Sequence, residues 1–258
     1  MTRIRPPLVL TAFTLVTLPL MPLQQLFVWF WPGMARMFPM FYHRLVLRIL
    51  GVRVKIVGTP PKRGPTLIAS NHASWLDIPV LSAIAPLSFI AKREVNGWPF
   101  FGSLARLQRT VFVDRERRHA TGNARNEMRE RLKAGDTLVL FAEGTSSDGQ
   151  RVLPFKSAFF GAAEFPGVIV QPVTIAYSGH RNLPMNRRLR PSYAWYGAMD
   201  LPPHLWRAVE AGPIDVTVIC HKPLSLGTEL NRKALARHAE TLVRQGLARA
   251  LHHAGEMG

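Results

Sequence analysis

Cysteine is nearly absent. The 258-residue chain has one, Cys220, so neither an intrachain disulfide framework nor a cysteine-based zinc cluster can form. Nothing in that count asks for an oxidising compartment. Acidic residues are scarce as well: 16 Asp and Glu stand against 33 Lys and Arg, a formal net charge of +17. Such a chain is drawn to polyanions, whether nucleic acid, an anionic membrane surface, or acidic small molecules and carriers. Helix-turn-helix, zinc-finger and RNA-binding aromatic signatures are missing, which argues against nucleic acid. There is no internal repeat. Apolar residues are plentiful at 47%, so disorder is excluded, and the length suffices to bury a core unaided.

The amino terminus favours the membrane. Leu8 to Trp31 carries no charge, with Arg3 and Arg5 before it and Arg36 after it. The run is long enough to cross a bilayer. Pro19, Pro22, Gln24 and Gln25 interrupt it, and Trp29 and Trp31 suit a membrane interface. Three readings follow: a single spanning helix, a bent or re-entrant anchor broken near Pro19 to Pro22, and a signal peptide or buried core helix. One full crossing with positive charge inside would leave residues 33–258 outside, whereas a hairpin keeps them on the cytoplasmic side. Gly33 to Leu50 has apolar residues at helical spacing with arginines between them, an amphipathic helix that lies on the membrane or packs on the domain.

The chain divides into residues 1–50, membrane-anchoring hydrophobic and amphipathic helices, and residues 51–258, an α/β domain. Expected strands are Val52–Val57, Thr66–Ser70, Leu87–Ala91, Thr110–Val113, Thr137–Phe141, Val168–Ile175, Tyr193–Tyr196 and Asp215–Cys220. Helical patterns cover Arg118–Lys133, stopped at Gly135, and Asn231–His252, with Leu235, Leu242, Leu247 and Leu251 as its stripe. This alternation predicts a mixed, largely parallel sheet flanked by helices. The basic, Pro/Asn-rich stretch Ser178–Arg190 reads as an exposed loop.

Four clusters carry possible chemistry. Asn71-His72 and Asp77 follow an apolar strand, and a His beside an Asp is the core of a general-base pair. Chance alone gives about 0.2 such spacings in a chain of this composition. Positions five apart on a regular helix lie about 140° from each other. The two can meet only where a turn runs into a helix. Glu143-Gly144-Thr145-Ser146 also follows a strand, with a glycine that permits close approach of a ligand. Lys92, and Arg109 to Arg115, place cations at strand ends suited to phosphate or carboxylate. Val170-Gln171-Pro172-Val173 is an apolar strand with a proline. Taken singly, each also has a bland reading as a helix cap, an acidic turn or a solvated face.

Together, in this order and spacing, the clusters resemble the glycerolipid acyltransferase superfamily of bacterial 1-acylglycerol-3-phosphate acyltransferases. Asn71-His72 with Asp77 matches its N-H-x4-D block, Lys92 to Arg115 its second, Phe141 to Ser147 its F-P-E-G-T-R-S block, and Val170 to Val173 its fourth. Two positions depart. Ala142 replaces the usual Pro. Ser146 replaces an Arg that the family uses for the acceptor's phosphate, and serine supplies no bidentate cation. Arg115, Arg151 or Lys156 could compensate. The block looks closer to a subgroup containing lyso-ornithine lipid acyltransferases, whose acceptor carries no phosphate.

The resemblance implies an O-acyltransferase that moves an acyl chain from acyl-CoA or acyl-acyl carrier protein to a lysolipid hydroxyl. His72 would act as base and Asp77 would orient it, with no acyl-enzyme, metal or cofactor. Asn71, Lys92, Arg115, Glu143, Gly144, Thr145, Ser146 and Lys156 are the implied substrate-binding residues. The acceptor is lysophosphatidate by family default, lyso-ornithine lipid on the strength of Ser146, or both. A lysophospholipid is a third option, and a non-catalytic basic membrane-binding protein is the alternative of another class. The expected place is the cytoplasmic face of a bacterial inner membrane. Basic residues at Arg3–Arg5, Arg115–Lys133 and Arg181–Arg190 would face anionic lipid.

Overall fold

The computed structural model describes residues 4–62, 64–114, 118–164, 166–225 and 231–256. Helix α1 (Arg5–Phe30) and helix α2 (Pro32–Leu50) form an antiparallel hairpin. α1 is continuous through Pro19 and Pro22, so the break expected there lies instead at Trp31. The cause is local: a residue before proline is pushed out of the helical region, and Trp31 has φ −135° and ψ 77°. Pro32 then begins α2, where a missing N–H costs nothing. The hairpin is closed by three polar ties. Arg5 reaches the carbonyls of Leu50 and Val209. The hydroxyls of Thr17 and Tyr42 meet at 2.8 Å. Gln24 donates to the carbonyls of Ala35 and Leu107 at 3.0 and 2.9 Å. The glutamine that looked like an interruption of the apolar run is thus a cross-link.

Among the described residues nine strands follow: β1 (Val52–Gly58), β2 (Thr66–Ser70), β3 (Ser88–Lys92), β4 (Val111–Val113), β5 (Thr137–Phe141), β6 (Ile169–His180), β7 (Leu183–Pro184), β8 (Ile214–Cys220) and β9 (Leu224–Ser225). Their order is β1-β8-β6-β2-β5-β3-β4, with β7 and β9 on β6. β2 pairs in parallel with both β5 and β6, β3 with β4 and β5, and β1 with β8; β6 runs antiparallel to β7, β8 and β9. The central strands TLIAS and TLVLF are buried throughout, as unbroken apolar runs in a sheet covered on both faces should be.

Among the described residues five further helices flank the sheet: α3 (Asp77–Ile84), α4 (Phe101–Leu107), α5 (Arg118–Lys133), α6 (Leu201–Ala211) and α7 (Arg232–Glu256). One apolar core joins α2, α3 and α6 to the sheet, and a second joins α5 and α7 to it. α5 ends as its glycine predicts. Gly135 has φ +79°, and the N–H groups of Gly135 and Asp136 return to Leu132 and Arg131, a Schellman closure. Asp136 then gathers Arg36, Arg109 and Arg131. Burial alone would raise its pKa, but the three guanidinium groups hold it lowered.

Several expectations are corrected. Tyr193–Tyr196 is not a strand; it follows a 3-10 turn at Arg190–Ser192. Its aromatic content reflects burial instead, for Tyr193 is 1% exposed and donates its hydroxyl to the Gly212 carbonyl. Within Ser178–Arg190, Arg181 to Leu183 and Asn186 to Arg188 are exposed as expected, but the stretch is not all loop. β6 extends through His180 and turns back as β7, and Arg190 is 7% exposed, so it cannot face lipid. The buried stripe of α7 is Leu235, Ala239, Val243 and Leu247, with Leu242 only half-buried. Small residues let this helix approach the sheet. A Cβ at Gly246 would meet the Thr174 hydroxyl at 2.4 Å.

Candidate active site

β2 and β5 end side by side, with Ser70 in register with Phe141. The next residues of each chain segment therefore lie at the carboxyl edge of the sheet, where open α/β sheets place their sites. After β2, residues 71–74 are irregular and α3 begins at Asp77. That turn-into-helix geometry brings the dyad together: His72 Nδ1 donates to Asp77 Oδ2 at 2.8 Å. Asp77 is fully buried and also accepts the N–H groups of Ala73 and Ser74 at 2.7 and 2.9 Å. The carboxylate holds the proton on Nδ1 and leaves Nε2 free as an acceptor. The His72 ring stacks on Phe141, with centroids 3.9 Å apart and planes 16° from parallel.

Glu143 emerges from β5 opposite His72. Its Oε1 accepts the His72 backbone N–H at 3.2 Å, while Oε2 is buried without a hydrogen-bond partner. Burial pushes this carboxyl up to about 8, opposed by N–H groups of His72 and Leu153 and assisted by Asp77 and Glu240. Ser147 ties the same two loops, since its N–H donates to the His72 carbonyl at 2.8 Å.

His72 opens onto a cavity of about 440 Å³, within the range of small-molecule sites. Thr145 and Ser146 share its wall with His72. Phe89, Ile90, Ala91 and Lys92 line it along β3, and Gln24, Leu107 and Gln108 line it farther on. Gln108 donates to the Leu87 carbonyl, which precedes β3. The cavity therefore follows β3 from Phe89 to Lys92, roughly 10 Å. Residues of α1 such as Leu10, Phe13 and Leu20 form another side.

The expected site residues separate into groups. His72, Lys92, Gly144, Thr145 and Ser146 line the cavity, with Asp77 directly behind His72. Lys92 is the one lysine or arginine on that wall among the described residues. Asn71 and Glu143 are turned inward. The Asn71 amide clamps Ile175, donating to its carbonyl at 2.9 Å and accepting its N–H at 2.8 Å. Lys156 is exposed and off the wall; only its backbone N–H takes part, donating to the Ala142 carbonyl. Arg115 lies outside the described residues. Sequence reasoning missed Phe141 as the stacking surface, Tyr177, whose hydroxyl donates to Asp77 Oδ1 at 2.6 Å, and the Trp98–Trp195 pair on the wall. A buried aromatic in a strand carries no signal that separates it from ordinary core.

Comparison with known proteins agrees with this geometry. A protein-family model described as Acyltransferase matches residues 51–176. A lyso-ornithine lipid O-acyltransferase of Brucella abortus is 48% identical over 251 residues, covering 95% of this chain and 94% of that one. A 1-acyl-sn-glycerol-3-phosphate acyltransferase of Neisseria meningitidis is 37% identical, covering 68% and 67%. The crystal structure of the 1-acyl-sn-glycerophosphate acyltransferase of Thermotoga maritima superposes with a TM-score of 0.62 at 24% identity, covering 96% of this chain and 97% of that one, and so has the same fold. The chain belongs to the acyltransferase family that includes the lyso-ornithine lipid and 1-acyl-sn-glycerol-3-phosphate O-acyltransferases.

Proposed function

We propose that this enzyme acylates the free hydroxyl of lyso-ornithine lipid, with an acyl thioester of CoA or acyl carrier protein as donor. The observation that carries the reaction is a His72–Asp77 dyad at the mouth of an apolar cavity. His72 Nε2 takes the proton of the acceptor hydroxyl as that oxygen attacks the thioester carbonyl. The imidazolium is stabilised by Asp77. Collapse of the tetrahedral intermediate forms the new ester, breaks the C–S bond, and returns the proton from His72 to the leaving thiolate. No acyl-enzyme is required. Burial pushes the Cys220 thiol up to about 11, so it stays protonated and a poor nucleophile. The acyl chain occupies the cavity along β3.

Ser146 favours the ornithine acceptor, because the position usually holding a phosphate-binding Arg offers only a hydroxyl. Lys92, on the cavity wall, is the cation that this reading assigns to the ornithine carboxylate. The side-chain ammonium then needs a partner, and none of the described residues on the cavity wall is acidic. Trp98 and Trp195, with centroids 6.1 Å apart, offer aromatic faces to a cation. The high identity to the Brucella protein supports the same choice.

The hairpin tip supports a membrane location. Trp29, Phe30 and Trp31 are 66, 64 and 57% exposed, an apolar patch that water would not favour. A hairpin that dips into one leaflet keeps the catalytic domain on the side where the donor is made, the cytoplasmic face of the inner membrane. The test is acyl transfer by detergent-purified protein, with lyso-ornithine lipid and lysophosphatidate offered in parallel and His72→Ala as control. A higher kcat/KM for lyso-ornithine lipid, and a loss of about 10²-fold or more in kcat for His72→Ala, are the expected results. Preference for lysophosphatidate overturns the acceptor, and turnover by folded His72→Ala overturns the mechanism.

A further inference from the structure

The carboxylate of Asp77 is fully buried, so each of its oxygens needs donors. Oδ2 has three: His72 Nδ1 and the N–H groups of Ala73 and Ser74. Among the described residues Oδ1 has one, the hydroxyl of Tyr177 at 2.6 Å. Tyr177 stands in the middle of β6, 2% exposed. Its height is fixed from below. Asn71 clamps both backbone groups of Ile175, and side chains two apart on a strand share a face. The clamp beside His72 therefore aims Tyr177 at the underside of Asp77.

The phenol is suited to donate and not to ionise. Burial first, and then the Asp77 charge, hold its pKa well above the usual tyrosine value; a hydrogen bond from the Ser74 side chain opposes this. The charged and titratable groups around it are His72 and Asp77, Glu143 across the dyad, and Arg190, whose guanidinium lies 3.5 Å from the Tyr177 carbonyl. On the neighbouring β8 the residue in register is the apolar Val216.

We propose that Tyr177 is a positioning residue for acyl transfer: by occupying Oδ1 it reserves Oδ2 for His72 and sets how strongly the carboxylate holds the imidazole's proton. A hydrogen bond from the phenol draws charge toward Oδ1. Without it, more negative charge faces Nδ1 and the imidazolium is favoured. The base then frees itself only at higher pH. The inference rests on the reading of His72 as base.

The experiment compares pH profiles of kcat and kcat/KM for the full-length enzyme in detergent, for Tyr177→Phe, and for enzyme carrying 3-fluorotyrosine at position 177, a stronger donor of the same shape. Tyr177→Phe is expected to lower kcat about 10-fold on the acid side of the profile, as a base freed about one pH unit later implies, with KM within about twofold. The acid limb should move to higher pH in Tyr177→Phe and to lower pH with fluorotyrosine. A merely structural tyrosine would give no such opposed pair of shifts. Coincident acid limbs in all three proteins overturn the proposal, as does a raised KM at unchanged kcat. If Tyr177→Phe does not fold, the fluorotyrosine enzyme decides alone. His72→Ala, run beside them, keeps the two readings apart: its retained turnover would remove the base, whereas coincident limbs with an inactive His72→Ala remove only the role of Tyr177.

Discussion

The carboxyl of Glu143 accepts the backbone N–H of His72 at 3.2 Å from the end of a strand 71 positions further along the chain. This contact holds the loops that follow β2 and β5 at one height, and it places a carboxyl where water does not reach it. Glu143 is 2% exposed.

That burial gives a pH signature. The folded-state value of Glu143 is raised to about 8 from 4.5. Between those values the native state holds a proton that the unfolded chain has lost. Stability therefore falls as pH rises from about 4.5 to about 8, and the loss levels off above that. Glu143→Gln, which keeps the acceptor oxygen but cannot ionise, should remove the fall. Thermal unfolding in detergent at pH 4.5 and pH 9 would show the variant gaining roughly 5 °C or more on the wild type at the higher pH. A Tm difference that is the same at both values would refute it.

Ser146→Arg restores a guanidinium to the cavity wall. A bidentate charge-assisted contact to phosphate is worth enough to shift acceptor choice. The ratio of kcat/KM for lysophosphatidate over lyso-ornithine lipid should rise about tenfold or more, read by product formation from paired acceptors. An unmoved ratio would mean that the headgroup does not pass this residue.

The cavity along β3 should act as a ruler. Ala105 lines it, two residues before Leu107, whose carbonyl takes the Gln24 amide. Ala105→Phe fills the space beside that tie and should shift donor preference toward acyl chains a few carbons shorter, with activity on the shortest donors kept. Competition between thioesters of graded length measures this. Equal loss on every donor would place the acyl chain elsewhere.

Much of this was legible in sequence, and the limits have physical causes. The bounds of β2 and β5 match because fully buried parallel strands read as unbroken apolar runs. The dyad was legible because proton transfer needs a His and a carboxylate, and only a strand-to-helix turn lets positions 72 and 77 meet. Tyr177 was not, since a phenol in a buried strand looks like core until its partner is seen. The bend of the hairpin was misplaced because Pro19 and Pro22 drew attention inside a helix that tolerates them, while Pro32 acted one residue earlier, on Trp31. Tyr193–Tyr196 looked like a strand because β-propensity measures burial as much as backbone preference.

The exposed tip should govern membrane attachment. Trp29→Ala with Phe30→Ala removes two large apolar groups, each worth about 1.5–3 kcal/mol when fully buried. Partition onto vesicles containing anionic lipid should weaken at least tenfold and persist in high salt for the wild type. Binding that is abolished by salt and unaffected by the double variant would assign attachment to the basic surface instead.

Arg5, near the start of the chain, is fastened to the carbonyl of Val209, and the helix that carries it walls the cavity. On a ribosome, the first helix leaves the tunnel long before α6 exists. The pocket can close only once residues through Val209 have been made. Until then most of the sheet exists, but the Leu50 carbonyl alone holds the arginine and the wall that α6 supplies is missing. Synthesis order alone thus makes α6, whose Leu201 and Leu205 share the wall with α1, the element whose arrival completes the pocket.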